Sequence, residues 1–386
     1  MGEFKKMKLS MKNNNKILFL LHLPPAVHGV SIVGELIKNS EIINDAFEAR
    51  FINLLVSRSI DETGKTKLLK VARFIASWFK LLIELFKEKP NLCYFALSNS
   101  GSAFYKDVSL VFLLKLFRVK TVFHLHSKGV KKNESNRINY MLYKYVFKKS
   151  SVILLSKYLF EDVKTFVPME QVFICPNGVE DLMKNNTTKL EKSSGAIKIL
   201  FLSNLIKSKG VYDLIEACEI LTRKGYNFSC DFVGGEGNVS EQQFKNELNK
   251  RGVEERVKYL GKKYGQHKNN LYESADVFVL PTSNDCFPLV ILEAMQFGLP
   301  VISTIEGGIR DIVENNVTGF IVERNNPIDL ADKLEILINN KALRLEMGKA
   351  GRAKYEKEFT LQAFETKLQE ILERVLLKDI DRNDKK

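Results

Sequence analysis

The sequence predicts an α/β protein made of two Rossmann-like domains, each with its own parallel sheet, facing each other across a cleft. Short apolar runs alternate with amphipathic stretches from end to end, which is the pattern of βαβ units. At 386 residues the chain exceeds one ordinary core and suits two domains of about 150 to 200 residues each. Between two such alternating series, residues 181–195 read DLMKNNTTKLEKSSG, polar and small with no periodicity, which marks a linker. The expected division is a first domain at 14–180, a linker at 181–196, a second domain at 197–358 and a closing helix at 359–380.

Strands in the first half are expected at 17–23, 50–55, 92–97, 121–126, 152–155 and 172–175, with helices between them. The lysines ahead of the apolar run 17–21 look like a secretory leader. His22 and the Pro24-Pro25 pair follow without a small-residue cleavage site, so this part is read as a ragged terminus entering the first strand. The longest helix, 67–87, carries Leu68, Leu69, Val71, Phe74, Ile75, Trp78, Phe79, Leu82, Ile83, Leu85 and Phe86 among lysines. Most of that stripe is expected in the core; the alternative is that its exposed lysines and aromatics lie on a membrane surface. Further strands are expected at 197–202, 228–233, 257–260, 277–280, 301–303 and 320–322. A last helix at 361–377 has Phe364, Leu368, Ile371, Leu372 and Val375 at helical spacing, and the terminal DRNDKK is expected to fray.

Composition is that of a globular protein, 45% hydrophobic and 27% charged, and no apolar run approaches the ~18 residues of a spanning helix. Cys93, Cys175, Cys218, Cys230 and Cys286 are scattered without paired spacing, which fits a reducing cytoplasm and indicates neither a disulfide framework nor a zinc site. The net charge of +13 is uneven: residues 1–180 hold 28 Lys/Arg against 15 Asp/Glu, and the remainder is balanced. The basic half is expected to meet an anion, either a membrane surface or a phosphorylated acceptor; a lysine-rich solvated surface is the alternative. Nucleic acid is not expected, because no reading motif accompanies the lysines.

The chemistry concentrates in DVFVLPTSNDCFPLVILEAMQFGLPVIST, residues 276–304. A strand ends at Pro281 and a polar loop follows. Pro288 suits the first turn of a helix at 288–297, and Gly298 suits its stop ahead of Pro300. The first turn leaves the amides of Leu289, Val290 and Ile291 free, and such a terminus binds phosphate. Glu293 is a carboxylate in an otherwise apolar helix, costly to bury without partners. Two adjacent ribose hydroxyls suit its two oxygens; pairing with a buried lysine or a backbone amide is the alternative. Asp285 precedes the helix, near the reacting end of a ligand whose phosphates lie at the helix start.

This segment resembles the C-terminal signature of retaining glycosyltransferase family 4, of the GT-B fold and the type found in capsule and cell-surface polysaccharide synthesis. That signature is an acid, seven residues and a glutamate, followed by Ala-Met, a glycine and a proline. Asp285 stands where the family usually has Glu. NLIKSKGVYDLIEA at 204–217 resembles the family's Gly-Arg-Leu stretch ending in Lys-Gly, which implies Lys209 on the donor diphosphate. Ser203 and Asn204 replace the usual Gly-Arg, so one cation is missing unless Lys207 or a basic residue of the first domain substitutes. FVGGEGN at 232–238 is similar to the glycine turn beside the nucleotide and implicates Gly234. TIEGGIRDIV at 304–313, NNVTGFIV at 315–322 and CPNGVE at 175–180 match in order. LPPAVHGVSIVGELI at 23–37 resembles the first glycine loop, with Gly29 letting amides approach the diphosphate. FHLHSKG at 123–129 makes His126 the active-site histidine beside the donor sugar; His124 is the competing assignment, which strand alternation turns into the sheet.

The resemblance spans about residues 16 to 378. It implies His126, Asp285 and Lys209 as catalytic residues, and donor contacts from Gly29, Asn204, Lys209, Gly234, Phe287, Pro288, Leu289, Val290 and Glu293. It also implies a final helix crossing back to the first domain, and retention without a required metal or cofactor. The expected reaction moves a hexosyl unit from a nucleotide sugar, UDP-linked, to a lipid-linked or polysaccharide acceptor, in the cytoplasm or peripherally at the inner face of the membrane. Two rivals are kept. One is a catalytically weakened sugar-nucleotide-binding subunit, motivated by Asn204. The other is a nicotinamide-dependent oxidoreductase, against which stands the lack of a GxGxxG helix opening after the first strand.

Overall fold

The central strands are largely apolar, as strands covered on both faces must be, and this determines where the sheets form. A computed structural model describes residues 15–24, 29–54, 67–183 and 195–378. It divides into two units: Met1–Asn177 with Leu361–Lys386, and Gly178–Thr360.

In the first unit, β1 (Lys16–Leu21) leads to α1 (Gly29–Asn39), α2 (Glu41–Ala46) and β2 (Glu48–Asn53). Then come α3 (Lys67–Lys87), β3 (Leu92–Ala96), α4 (Gly101–Leu116), β4 (Thr121–Leu125), α5 (Arg137–Phe147), β5 (Ser151–Leu154) and β6 (Val172–Ile174). The six strands are parallel, in the order β2-β1-β3-β4-β5-β6. β3 and β4 are buried at every position. Strand β1 stops at Leu21, short of the expected Leu23, because the Leu23 N–H donates to Asn53 Oδ1 at 3.1 Å rather than continuing the ladder.

The second unit repeats the scheme with β7 (Ile197–Leu202), α6 (Val211–Arg223), β8 (Phe228–Val233), α7 (Glu241–Arg251), β9 (Val257–Tyr259), α8 (Gly265–Ser274) and β10 (Val277–Leu280). It continues with α9 (Leu289–Gln296), β11 (Val301–Thr304), β12 (Gly319–Val322), α10 (Pro327–Asn339) and α11 (Lys341–Glu358). Its parallel order is β12-β11-β10-β7-β8-β9. The chain builds outward from β7 in one direction and then restarts at β10 on its other side. The order therefore reverses between β7 and β10, where open α/β sheets form crevices. In the first sheet it reverses between β1 and β3.

The last helix, α12 (Leu361–Leu377), belongs to the first unit, packed on α2 with Phe364, Leu368 and Val375 buried. Lys120 Nζ donates to the Leu376 carbonyl at 3.3 Å and Lys378 lies over the Phe173 ring. Of the expected linker, Asp181 is held by Arg352 at 2.6 Å and the Leu182 N–H by Gln296 Oε1 at 2.9 Å, so residues 181–183 are tied into the second unit. The chain ends and 184–194 lie outside the described residues, as do Pro25 and the rest of 25–28.

One expectation is corrected. Helix α3 has the expected bounds, but among its described side chains only Leu81 and Leu85 are buried, while Ile75, Phe79, Ile83 and Phe86 face outward. The helix is apolar around much of its circumference, and its own periodicity does not say which face meets the sheet.

Candidate functional site

In the second unit, two loops flank the strand-order reversal and are locked together by backbone geometry. Gly210, at φ 80° and ψ 28°, starts α6 so close to Pro281 that a Cβ there would collide with the Pro281 carbonyl. Beside it, the Ser208 carbonyl accepts from the Ser283 N–H at 2.8 Å and from Thr282 Oγ1 at 3.0 Å. This brings Lys209 Nζ to 2.5 Å from Asp285 Oδ2, with side chains 23% and 14% exposed. From the other side Gly307, at φ 53°, abuts the Asp285 and Cys286 carbonyls, and the Gly308 N–H donates to the Cys286 carbonyl at 2.7 Å. The two residues expected on the diphosphate and at the reacting end are thus one ion pair.

Helix α9 opens beyond this pair. Pro288 is its N-cap in extended conformation, φ −71° and ψ 115°, one position earlier than the first-turn place expected of it. No side chain caps this end, and the first bond within the turn is Ile291 N–H to the Pro288 carbonyl at 3.2 Å. The helix start therefore presents donors at half-buried Leu289 and Val290. Phe287 is buried edge-on against Phe359, ring centres 6.1 Å apart, so its side chain packs the unit and only its backbone is left for a ligand.

Glu293 is paired with a lysine, as in the alternative reading, but a half-buried one, and with a tyrosine. Lys268 Nζ donates to Oε1 at 2.7 Å, and Tyr272 OH donates to Oε2 at 2.8 Å. Burial, reinforced by the Glu293 carboxylate, raises the Tyr272 hydroxyl well above its ordinary pKa, so it stays protonated and donates. Each carboxylate oxygen keeps a second acceptor direction, and at 18% exposure Glu293 is held in one orientation with room to accept more hydrogen bonds. Lys268 and Tyr272 lie four residues apart on α8, on one helical face. That spacing is visible in the sequence, but which residue the face meets is not.

Asn204 does not stand out toward a ligand as an arginine would. Its Oδ1 accepts the Gly235 N–H at 2.9 Å, closing the turn after β8. Gly234, at φ 152°, lies against the Ser203 and Asn204 backbone where a Cβ would collide. The exposed Lys262, from the loop after β9, lays its side chain across Gly235 beside Asn204. Nothing in the sequence singles out Lys262, because it arrives from a distant loop.

In the first unit, His124 is fully buried in β4, with Nδ1 2.6 Å from the Tyr94 hydroxyl. His126 lies past the strand end, its ring centre 4.1 Å from that of His124. Burial, and then His22, push the His126 imidazole down to about 3, so it is neutral near pH 7. Its Nδ1 is buried with no hydrogen-bond partner among the described residues. Asn99 and Ser127 hydrogen-bond reciprocally across the ends of β3 and β4, fixing the turn that follows His126. Asp107 accepts the Ser98 N–H at 2.8 Å, and burial raises its carboxyl to about 7. Gly29 starts α1 facing open space, whereas the close backbone approach is at Gly34, where a Cβ would collide with the His22 carbonyl.

Comparison with known proteins adds family and fold. Residues 183–354 match the family model described as Glycosyl transferases group 1. The chain is 28% identical over 270 residues to the amylovoran biosynthesis glycosyltransferase AmsK of Erwinia amylovora, across 68% of this chain and 66% of that protein. It is 32% identical over 165 residues to the capsular polysaccharide biosynthesis glycosyltransferase CapM of Staphylococcus aureus, across 42% of each. The matches take in less than two thirds of either relative. The crystal structure of Anabaena Alr3699/HepE in complex with UDP superposes with a TM-score of 0.71 at 18% identity, over 93% of this chain and 100% of that one. The chain has the GT-B fold.

Proposed function

We propose that the chain is a glycosyltransferase that moves a hexosyl unit from a UDP-linked sugar to a lipid-linked or polysaccharide acceptor, with retention at the anomeric carbon and no metal or cofactor. One observation carries the reading. An ion pair, Lys209–Asp285, and a carboxylate fixed by two donors, Glu293, are both built on the loop and helix that follow β10, beside the point where the strand order reverses. The family match contains both, together with Asn204, Gly234 and the start of α9. That AmsK and CapM serve amylovoran and capsule synthesis supports the acceptor class, and the UDP held by the Anabaena protein supports the donor.

In this mechanism Glu293 accepts two ribose hydroxyls. Lys209, Lys262 and the amides of Leu289 and Val290 meet the diphosphate, stabilising charge as it grows on the leaving group. Lys262 takes the place that Asn204 leaves unfilled. Asp285 orients Lys209 and accepts from a sugar hydroxyl. Neutral His126 offers the sugar a hydrogen bond without adding charge. On one face of the sugar, the acceptor oxygen forms its bond to the anomeric carbon as the bond to phosphate breaks, and the acceptor proton passes to the departing phosphate oxygen. Turnover of a panel of nucleotide sugars with lipid-linked acceptor in excess EDTA tests this. Product with retained configuration is expected; chelator-sensitive turnover or inverted product contradicts it.

A second reading is favoured by the Asn204–Gly235 bond and by Asp285, which together leave Lys209 without a neighbouring arginine and already neutralised. On that reading the chain is a sugar-nucleotide-binding subunit with weakened catalysis. Calorimetric binding of UDP-sugar without turnover, even with the cognate acceptor, would mark it.

A further inference from the structure

Helix α3 is apolar on two faces. Leu81 and Leu85 are buried, while Ile75, Phe79, Ile83 and Phe86 form a stripe along about three turns that is 46%, 53%, 62% and 74% exposed. The stripe does not end with the helix. Helix α4 packs beside α3, with Phe86 edge-on to Phe117 at 5.0 Å, and exposes Phe112 and Leu116 one turn apart. An outward apolar strip across two adjacent helices is more than scattered surface residues and marks a contact face.

Charge identifies the occupant. Helices α3 and α4 carry seven lysines and arginines against two acids, and neither acid offers free charge: Glu84 is bound to Arg50 at 3.1 Å and Asp107 is buried. Lys80 and Lys87, each next in sequence to a stripe residue, are exposed and flank the stripe. Helix α5, packed next to α4, adds Arg137 and Lys144 and no acid. A second copy of this chain, docked by a two-fold axis, would bring these cations against their own images. An apolar stripe flanked by lysines is instead the pattern of a helix lying in a lipid interface, its apolar side chains among acyl chains and its lysines at headgroup phosphates.

We propose that the outer face of α3 and α4 docks the first unit on an anionic phospholipid bilayer. This rests on the face itself and stands whether or not the sugar-transfer reading holds.

Trp78, the single tryptophan of the chain, is half-buried on α3, edge-on to Phe79 at 5.5 Å, and reports from the edge of the surface. The full chain is mixed with vesicles of phosphatidylcholine alone or with phosphatidylglycerol added. Flotation with the anionic vesicles only, with a blue shift of Trp78 emission and weakening at high salt, is the expected result. Phe79→Ser/Ile83→Ser/Phe86→Ser lowers partition at least about tenfold with an unchanged melting curve. Lys80→Gln/Lys87→Gln lowers it roughly tenfold without touching the apolar stripe, and carries the test if the triple variant fails to fold. The proposal is overturned if the chain ignores anionic vesicles or floats equally with neutral ones. It is equally overturned if both variants bind like the parent, or if sedimentation shows a dimer that the triple variant dissociates.

Discussion

The strand ends of the two units are built in opposite electrostatic styles. In the second unit three candidate side chains are charged and matched: Lys209 with Asp285, and Glu293 with Lys268 and Tyr272. In the first unit the groups are neutral and desolvated: His126 is driven far below its ordinary pKa and His124 is bound to Tyr94. Matched charges suit a ligand bearing both phosphates and hydroxyls, since each partner fixes the other before the ligand arrives. A neutral, partly unsatisfied imidazole suits an uncharged hydroxyl. On the proposed reading, the second unit handles the charged carrier and the first the neutral sugar.

The comparison breaks most visibly at the ion pair. Lys209→Ala is expected to lower kcat by about 100-fold with a smaller change in KM, as loss of a donor to a developing anion does. Lys209→Ala/Asp285→Ala should be little worse than the single variant; additive losses would show that the two do not act as one unit. Lys262→Ala is smaller, roughly tenfold in donor KM, and adding it to Lys209→Ala should abolish measurable donor binding. An unchanged KM in the Lys262 variant would return the vacancy at Asn204 to the second reading.

The neutral side is sharpened by pH. With His126 at about 3 against an ordinary 6.5, the imidazole does not titrate near neutrality. His126→Asn is therefore expected to lower kcat/KM about tenfold at every pH, keeping the shape of the profile. An acid limb near pH 6 that vanishes in the variant contradicts a desolvated His126. Stability carries the same signature. His126, depressed when folded, contributes fully above 6.5, and that contribution is lost as pH falls toward about 3. Asp107, raised from 3.8 to about 7, acts oppositely, and its contribution fades as pH rises through that window. Asp107→Asn keeps an acceptor for Ser98 and removes the titration. Its melting temperature should rise relative to the parent, by a few degrees, between about pH 5 and about pH 8.

Sequence reasoning reaches some of this and stops at definite places. All twelve strands are legible, the central ones because strands buried on both faces are largely apolar, and α12 matches residue for residue because its periodicity is clean. The order of Lys209, Asp285 and Glu293 is legible through family resemblance. Their partners are not: Lys268, Tyr272 and Lys262 reach the site from elements whose placement the β7–β10 reversal decides. The resemblance marks Gly29 by spacing, whereas the collision that a Gly34 Cβ would make with the His22 carbonyl exists only once α1 lies against the end of β1. The outer face of α3 is not legible, because its apolar residues exceed what one contact face can bury.

UDP affinity, measured by titration calorimetry on the parent and on Glu293→Gln, tests the claim on which the rest stands. A fixed carboxylate on the ribose predicts about a tenfold to hundredfold loss in the variant, since Gln keeps the shape and the Tyr272 contact but gives up the charge and one acceptor. Equal affinity of the two proteins for UDP would contradict it.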